Sequence, residues 1–208
     1  MKIKYCGVKN DREWKIVTES MCDYVGFIFT SKSKRYVSPE DVGKWAVSSK
    51  KRVGVFVNEQ LSIIEKVVKR AKLDVVQCHG EETKEDLFRI KEATRKDVWK
   101  ALPHDTDTEE NMILYSEVVD GFVIDTKVKG SFGGTGTTFD WRVVPKYTNK
   151  AEDLQKLCFI AGGIRPGNIE DLLTYSPQAV DISSGIEENG KKTKTLISEL
   201  ERKMHNEI

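Results

Sequence analysis

The stretch DGFVIDT, residues 120–126, has the pattern on which the fold prediction rests. Its apolar run has the length of a strand and ends in a carboxylate, Asp125, followed by a hydroxyl, Thr126. A run that is apolar on both faces is typical of a parallel strand covered on both sides. The polar pair at its end indicates that the strand finishes at a functional site.

Similar short runs recur along the whole chain, and there are eight in all. They are IKYC (3–6), YVGFIF (24–29), RVGVFV (52–57), DVVQC (74–78), DVWKA (97–101), GFVID (121–125), LCFIA (157–161) and AVDIS (179–183). Most of the stretches between them have apolar residues at helical spacing, as in Leu61, Ile64, Val67 and Ala71. The segment 102–120 is the weakest helical prediction, because its apolar residues are sparse.

Strands that alternate with helices predict an α/β fold whose parallel strands are joined by right-handed crossovers. Eight strands fit an open doubly wound sheet as well as a closed (β/α)8 barrel. The barrel is favoured because the repeats average about 25 residues, which suits that fold at its small end. It is also favoured because polar residues follow strands along the whole chain, whereas an open sheet gathers them at one switch point. We therefore expect residues 1–208 to form a single-domain (β/α)8 TIM barrel.

Composition excludes several classes of protein. The 34 basic and 33 acidic residues nearly cancel, which argues against nucleic-acid and membrane partners. No signal peptide or membrane-spanning run is present, so we expect a cytoplasmic protein. The four cysteines are widely spaced and form no CxxC pair, so we expect neither disulfides nor a metal site.

Glycine clusters follow the last three runs, and they indicate a phosphate. They are GGTG (133–136), AGG (161–163) and SSG (183–185). Glycine lets backbone N–H groups converge on an anion, and barrels commonly bind phosphate in the loops after strands seven and eight. None of these clusters contains a lysine or arginine, so binding would rest on backbone donors. The alternative is that they are ordinary loop residues.

Cys6 ends the first run, and Lys4 shares its face of the strand. A free cysteine is usually an inert core residue. A cation about 6.6 Å away along the strand can lower the pKa of a thiol, which favours a reactive thiolate. Asp125 has two interpretations: a cap bonded to loop N–H groups, or a proton donor with a raised pKa. Because strands one and six lie nearly opposite in the ring, a small sugar phosphate would fit between Cys6 and Asp125, as in an acid–base isomerase.

Three further polar residues are candidates for binding. Arg35, in SKSKRY, belongs either to a solvated basic loop or to a binding site. His79 is either a hydrogen-bonded core histidine or part of the site lining. Asp181 should point into the barrel near its mouth, where a carboxylate more often binds a ligand than fills space.

Taken in order, several motifs resemble those of the phosphoribosylanthranilate isomerases of tryptophan biosynthesis. They are KYCGVKN, SKRYVSPE, RVGVFVN, VVQCHG, DGFVIDT, GGTGTTFDW, FIAGGIRPGN and VDISSGIEENGKK, and they span nearly the whole chain. The resemblance implies a (β/α)8 barrel without metal or organic cofactor, and no regular helix after the fifth strand. It implies that Asp125 is the general acid and Cys6 the general base of an Amadori rearrangement.

The same resemblance implies roles for the binding residues. Arg35 would lie near the anthranilate carboxylate, His79 would line the pocket, and Asp181 would lie near the substrate amine or hydroxyls. The phosphate would be held by Gly134, Gly136, Gly162, Gly163, Ser184 and Gly185. The expected partner is thus a small-molecule sugar phosphate, and the protein would be a monomer or homodimer.

Competing functions are disfavoured by particular residues. The sister isomerase of histidine biosynthesis uses an aspartate at the end of strand one, where this chain has Cys6. A ribulose-phosphate epimerase would need histidine and carboxylate metal ligands inside the barrel, and His104 and His205 are unsuitably placed. A non-catalytic sugar-phosphate-binding barrel remains an alternative, although such a protein would not need both Cys6 and Asp125.

Overall fold

The computed structural model, which describes residues 1–126 and 138–205, is built around a closed barrel of eight parallel strands. The strands are β1 (Lys2–Cys6), β2 (Tyr24–Ile28), β3 (Lys51–Phe56), β4 (Val75–Cys78), β5 (Asp97–Pro103), β6 (Gly121–Asp125), β7 (Leu157–Ala161) and β8 (Ala179–Ile182). Each strand pairs with the next in sequence, and β8 pairs with β1 to close the ring. The barrel and all eight predicted strands are confirmed.

Helices connect the strands on the outside of the barrel. They are α1 (Asp11–Thr18), α2 (Pro39–Lys44), α3 (Leu61–Ala71), α4 (Lys84–Thr94), α5 (Thr108–Tyr115), α6 (Val144–Asp153), α7 (Ile169–Leu173) and α8 (Lys194–His205). Single 3-10 turns span Trp141–Val143 and Ser184–Ile186, and a small hairpin pairs β9 (Glu187–Glu188) with β10 (Lys191–Lys192). Among the described residues, no helix is both long and apolar enough to cross a membrane.

The expectation that no regular helix follows the fifth strand was wrong. Helix α5 has eight residues, although only Thr108 and Met112 are buried. Its first turn is held by local hydrogen bonds, because the Thr108 hydroxyl donates to the carbonyl of Pro103 and accepts from the N–H of Asp105. Local capping of this kind leaves little trace in an apolar pattern.

The N-terminal half of the barrel is filled by side chains. The rings of Tyr24, Trp99 and Phe159 pack together with centroids 4.6–5.6 Å apart, and Val53, Val75 and Val123 surround them. Polar residues therefore have space inside the barrel only towards the carboxyl ends of the strands. This is the end at which barrel enzymes carry their sites.

Helix α2 shows how local sequence signals and tertiary contacts combine. Ser38 caps its N-terminus, since the Ser38 hydroxyl accepts a hydrogen bond from the N–H of Asp41 at 3.1 Å. Its C-terminal end is held by the buried guanidinium of Arg52, which donates to the carbonyls of Val42 and Trp45. Arg52 is therefore a structural residue, although it lies in a run that otherwise forms a core strand.

Candidate functional site

A buried ion pair lies inside the barrel between the first and last strands. The ammonium of Lys4 is 2.6 Å from Oδ2 of Asp181, its neighbour in the β1–β8 ladder. The fully buried Lys4 stays charged, because Asp181 and Cys6 raise its pKa against the effect of burial. The second oxygen of Asp181, Oδ1, is buried and has no hydrogen-bond partner among the described residues. This oxygen is a free acceptor at the mouth of the barrel.

Cys6 lies at the carboxyl end of β1, where only 8% of its surface is exposed. Its sulfur packs against Gly26 of β2, and a Cβ atom at Gly26 would lie 2.6 Å from that sulfur. Any larger residue at this position would therefore displace the thiol. The glycine of YVGFIF carried no functional signal in the sequence, since its role depends on a neighbouring strand.

The expected effect of Lys4 on the Cys6 thiol has the right sign but is not the dominant one. Burial raises the pKa of Cys6, while the charges of Lys4 and Lys192 lower it. Much of the Lys4 charge is also balanced by Asp181, with which it is in direct contact. The predicted lowering by Lys4 is present, but burial outweighs it, and the pKa of the thiol lies above its ordinary value.

Arg35 is held by a carboxylate from the other end of the chain. Its Nε and Nη2 atoms donate to the two oxygens of Glu187, each at 2.8 Å. Glu187 also accepts from the ammonium of Lys192 at 2.7 Å. Although burial opposes ionisation, these two cations lower the pKa of Glu187 to about 2. The interpretation of Arg35 as part of a solvated loop is therefore wrong.

Lys192 connects this charge cluster to Cys6. Its ammonium donates to the carbonyl of Ser183 at 3.0 Å, and the Ser183 hydroxyl donates to the carbonyl of Cys6 at 3.1 Å. Glu187 and Lys192 belong to the β9–β10 hairpin, which sequence reasoning did not single out. The charged residues of EENGKK have the composition of an exposed turn, and only their burial distinguishes them.

On the opposite side of the site, Asp125 lies at the end of β6 among uncharged groups. Its Oδ1 accepts a hydrogen bond from the N–H of Thr126 at 2.7 Å, and its Oδ2 is 3.6 Å from Nε2 of His79. Burial, and then the negative charge of Asp181, raises the pKa of Asp125 to about 6. Asp125 therefore combines the N–H contact of a loop cap with the raised pKa that a proton donor would need.

His79 is buried beside Asp125 and is hydrogen-bonded to Gln77. The side-chain amide nitrogen of Gln77 is 3.1 Å from Nδ1 of His79, and Nε2 of the same imidazole faces Asp125. Burial, together with the charge of Lys4, lowers the pKa of His79 to about 4. The imidazole is therefore neutral at pH 7. The contact of Gln77 with His79 depends on the bend after β4, which the strand pattern does not show.

The loop that carries His79 is supported by another buried ion pair. Lys100 contacts Glu82 at 2.7 Å and donates to the carbonyl of Gly80 at 2.6 Å. Glu82 in turn accepts hydrogen bonds from the N–H groups of Gly80 and Asn58. These bonds tie the loops after β3 and β4 together below His79. None of these contacts was predicted from the sequence.

Of the predicted phosphate residues, those after β7 and β8 pack together. Gly162 and Gly163 have φ angles of 89° and 64°, which favour glycine. A Cβ at Gly162 would lie 2.1 Å from the hydroxyl of Thr126, and one at Gly185 would lie 1.8 Å from the carbonyl of Ile164. Ser184 and Gly185 form the 3-10 turn after β8. Gly134 and Gly136 lie outside the described residues.

Within residues 1–126 and 138–205, no group of three or more His, Cys, Asp or Glu side chains is arranged to hold a metal ion. His104 instead contacts the hydroxyl of Tyr147 and stacks on Phe139, and His205 lies against Met21.

Comparisons with known proteins agree with one another. Residues 3–203 match the family model described as N-(5'phosphoribosyl)anthranilate (PRA) isomerase. The chain is 49% identical over 208 residues to N-(5'-phosphoribosyl)anthranilate isomerase of Priestia megaterium, covering 98% of this chain and 99% of the relative. It resembles the crystal structure of the Thermotoga maritima phosphoribosyl anthranilate isomerase, with a TM-score of 0.86, 34% identity and 99% of each chain covered.

A further solved structure contains a bound ligand. It is a phosphoribosyl anthranilate isomerase in complex with reduced 1-(o-carboxyphenylamino)-1-deoxyribulose 5-phosphate. It is similar to this chain with a TM-score of 0.83 and 32% identity, covering 99% of each chain.

Proposed function

This chain belongs to the N-(5'-phosphoribosyl)anthranilate isomerase family, and we propose that it catalyses the Amadori rearrangement of its sugar-phosphate substrate with Asp125 as general acid and Cys6 as general base. The substrate is N-(5-phosphoribosyl)anthranilate, and the product is 1-(2-carboxyphenylamino)-1-deoxyribulose 5-phosphate. The observation that carries the proposal is that two suitable groups lie at one mouth of the barrel: the Asp125 carboxyl, whose pKa is raised, and the Cys6 thiol, which lies beside cations. The charge of Asp181 acts on both groups.

In the first step, Asp125 opens the furanose ring. Its carboxyl gives a proton to the ring oxygen as the bond from that oxygen to carbon 1 breaks. The nitrogen lone pair forms a double bond to carbon 1, which leaves a protonated Schiff base and a carboxylate at Asp125. A pKa of about 6 keeps part of Asp125 protonated near neutral pH, whereas an ordinary aspartate would be almost fully ionised.

In the second step, the Cys6 thiolate removes the proton from carbon 2. The electron pair of that bond forms a double bond between carbons 1 and 2, and the nitrogen becomes neutral. The resulting enolamine then gives the ketone by moving a proton from the hydroxyl on carbon 2 to carbon 1. Each proton-transfer group of this kind typically contributes about 10²–10⁴-fold to the rate.

The surrounding residues would hold the substrate between the acid and the base. Arg35 keeps N–H groups beyond those bound to Glu187, and these would bind the anthranilate carboxylate. The free oxygen of Asp181 would accept a hydrogen bond from the substrate amine or a hydroxyl. His79 would line the pocket beside Asp125.

The phosphate would be bound by backbone groups. Gly162 and Gly163 after β7, and Ser184 and Gly185 after β8, supply N–H groups where side chains do not block the approach of a dianion. We assign Gly134 and Gly136 to the same function from their motif. Such a grip leaves the ring oxygen and carbon 2 oriented towards the two proton-transfer groups.

The proposal is tested by following the fluorescence of the substrate, which is generated in situ from anthranilate and phosphoribosyl pyrophosphate. We expect rapid loss of fluorescence with the purified protein, and at least about a hundredfold lower turnover for both Cys6→Ala and Asp125→Asn. Asp120→Asn is the matched control, because Asp120 precedes β6 at the opposite end of the barrel and binds Lys91 there.

Near-normal turnover by Cys6→Ala or Asp125→Asn would remove that residue from the mechanism. If the folded wild-type protein bound a reduced product analogue without turning over substrate, the non-catalytic sugar-phosphate-binding alternative would replace the proposal.

A further inference from the structure

The charged groups around the Cys6 thiol do not balance. Three cations and two carboxylates surround it: Lys4, Arg35 and Lys192, and Asp181 and Glu187. A further pair nearby is balanced, since the carboxylate of Glu13 lies 4.0 Å from the ammonium of Lys9. The cluster thus has one positive charge in excess, and ionisation of Cys6 would neutralise it.

The excess charge can be traced to the β9–β10 hairpin. Lys4 is matched by Asp181, to which it is directly bound. Arg35 and Lys192 share the single carboxylate of Glu187. Lys192 is the more buried of these two cations, since its side chain is not exposed at all. Its ammonium donates to the carbonyl of Ser183, whose hydroxyl donates to the carbonyl of Cys6.

We propose that Lys192 is a positioning residue whose buried charge, held by Glu187 and the Ser183 carbonyl, promotes formation of the Cys6 thiolate. Burial lowers the pKa of Lys192, and the carboxylate of Glu187 acts in the opposite direction, so Glu187 helps to keep the ammonium charged. The role of Lys192 adds to the proposed function, in which Cys6 is the base. Glu187 and Lys192 of the hairpin therefore belong to the catalytic apparatus, although they do not touch the reacting atoms.

The charge explanation and a purely structural one make opposite predictions for the removal of Lys192. If the hairpin only excluded water, any disruption would hydrate Cys6 and bring its raised pKa down. If the charge matters, removing Lys192 must raise that pKa further, and removing the carboxylate of Glu187 must lower it.

The experiment measures the rate of alkylation of Cys6 by iodoacetamide as a function of pH, with the modified residue located by mass spectrometry. The midpoint of the rate profile reports thiolate formation without any need for turnover. Cys22, Cys78 and Cys158 are more deeply buried than Cys6 and serve as internal references.

We expect Lys192→Met to move the midpoint to higher pH and to slow alkylation at pH 7.5 by about tenfold. Glu187→Gln should move it to lower pH, and Lys192→Arg should restore most of the wild-type rate. Lys191→Met is the matched control, because Lys191 is the exposed neighbour of Lys192 in β10, and it should leave the midpoint unchanged.

An unchanged or lowered midpoint in a folded Lys192→Met protein would overturn the proposal. If Lys192→Met fails to fold, the polar variant Lys192→Gln takes its place, and an unchanged or lowered midpoint in that folded variant overturns the proposal. Failure of the proposed function would look different: Cys6→Ala would keep its turnover, whatever the alkylation profiles show.

Discussion

The two sides of the barrel mouth surround their titratable groups, Cys6 and Asp125, with neighbours of different charge. Around Cys6 the neighbours are charged and paired, as in the Arg35–Glu187–Lys192 cluster. Around Asp125 they are mostly neutral, since His79 carries no charge at pH 7 and Thr126 donates a backbone N–H group. Both sides are buried, so burial alone would raise the pKa of the thiol and of the carboxyl.

The difference between the sides follows from the form in which each group must act. A general acid must be protonated, and burial among neutral groups favours that form. A general base must be ionised, so the same burial has to be opposed by cations. The Asp125 side therefore needs only burial among neutral groups. The Cys6 side needs cations, and these come from distant parts of the chain.

The largest expected effect comes from Lys4→Met, because Lys4 acts on both sides. The substitution leaves the buried carboxylate of Asp181 without its partner, which typically costs about 3–5 kcal/mol of unfolding free energy. It also removes a cation from Cys6, so we expect turnover to fall by about a hundredfold. Chemical denaturation and the fluorescence assay measure the two effects.

The double variant Lys4→Met with Asp181→Asn serves as the control for Lys4→Met. It should regain most of the stability, since no unpaired charge stays buried, but it should not regain turnover. Recovery of turnover together with stability would mean that Lys4 has only a structural role.

A more selective effect on the titratable groups is expected from Asp181→Asn, which also leaves the buried ammonium of Lys4 without its carboxylate and should therefore lower stability as Lys4→Met does. The charge of Asp181 raises the pKa of both Cys6 and Asp125, so its removal should lower both. Thiolate then forms more readily, while the acid loses its proton at lower pH. We expect alkylation of Cys6 at pH 7.5 to become several-fold faster. The carbon-13 titration of the Asp125 carboxyl should show a midpoint below about 6.

Opposite shifts of Cys6 and Asp125 in Asp181→Asn would contradict the assignment of Asp181 as a charge that both sides share. An unchanged Asp125 midpoint would mean that burial alone sets its pKa.

Glu187→Gln is expected to have the smallest effect on turnover. Its clear effect is on stability, and that effect should depend on pH. The folded-state pKa of Glu187 is about 2, below its ordinary value of 4.5, so its ionised form stabilises the fold. That contribution is fully present above pH 4.5 and is lost as the pH falls towards 2. It is on the order of 3 kcal/mol for a shift of this size.

Thermal unfolding of wild type and Glu187→Gln from pH 7 to pH 2 measures this contribution. The variant should be less stable at pH 7, and the difference should shrink towards zero near pH 2. Glu188→Gln is the control, since Glu188 is the exposed neighbour in β9. A difference that stays constant with pH would show that the ionisation of Glu187 does not stabilise the fold.

The amino-acid sequence by itself determined the barrel and the identity of the residues at its mouth. Apolar runs of strand length recur eight times, and each one became a strand because a run buried on both faces has few alternatives. Cys6, Asp125 and Asp181 could be identified because each is a polar residue at or near the end of such a run. The Ser38 cap of α2 likewise depends on local chemistry alone.

Only the tertiary structure decided what surrounds those residues. Glu187 and Lys192 are far from Cys6 and Arg35 in sequence, and the closure of β8 onto β1 brings them together. Gly26 matters only because a thiol on the next strand occupies the space of a Cβ. The sign of the Cys6 pKa shift could not be read from Lys4, because it depends on burial and on the balance of all nearby charges. Local patterns determine strands and caps, whereas pKa values depend on the full three-dimensional distribution of charge and solvent.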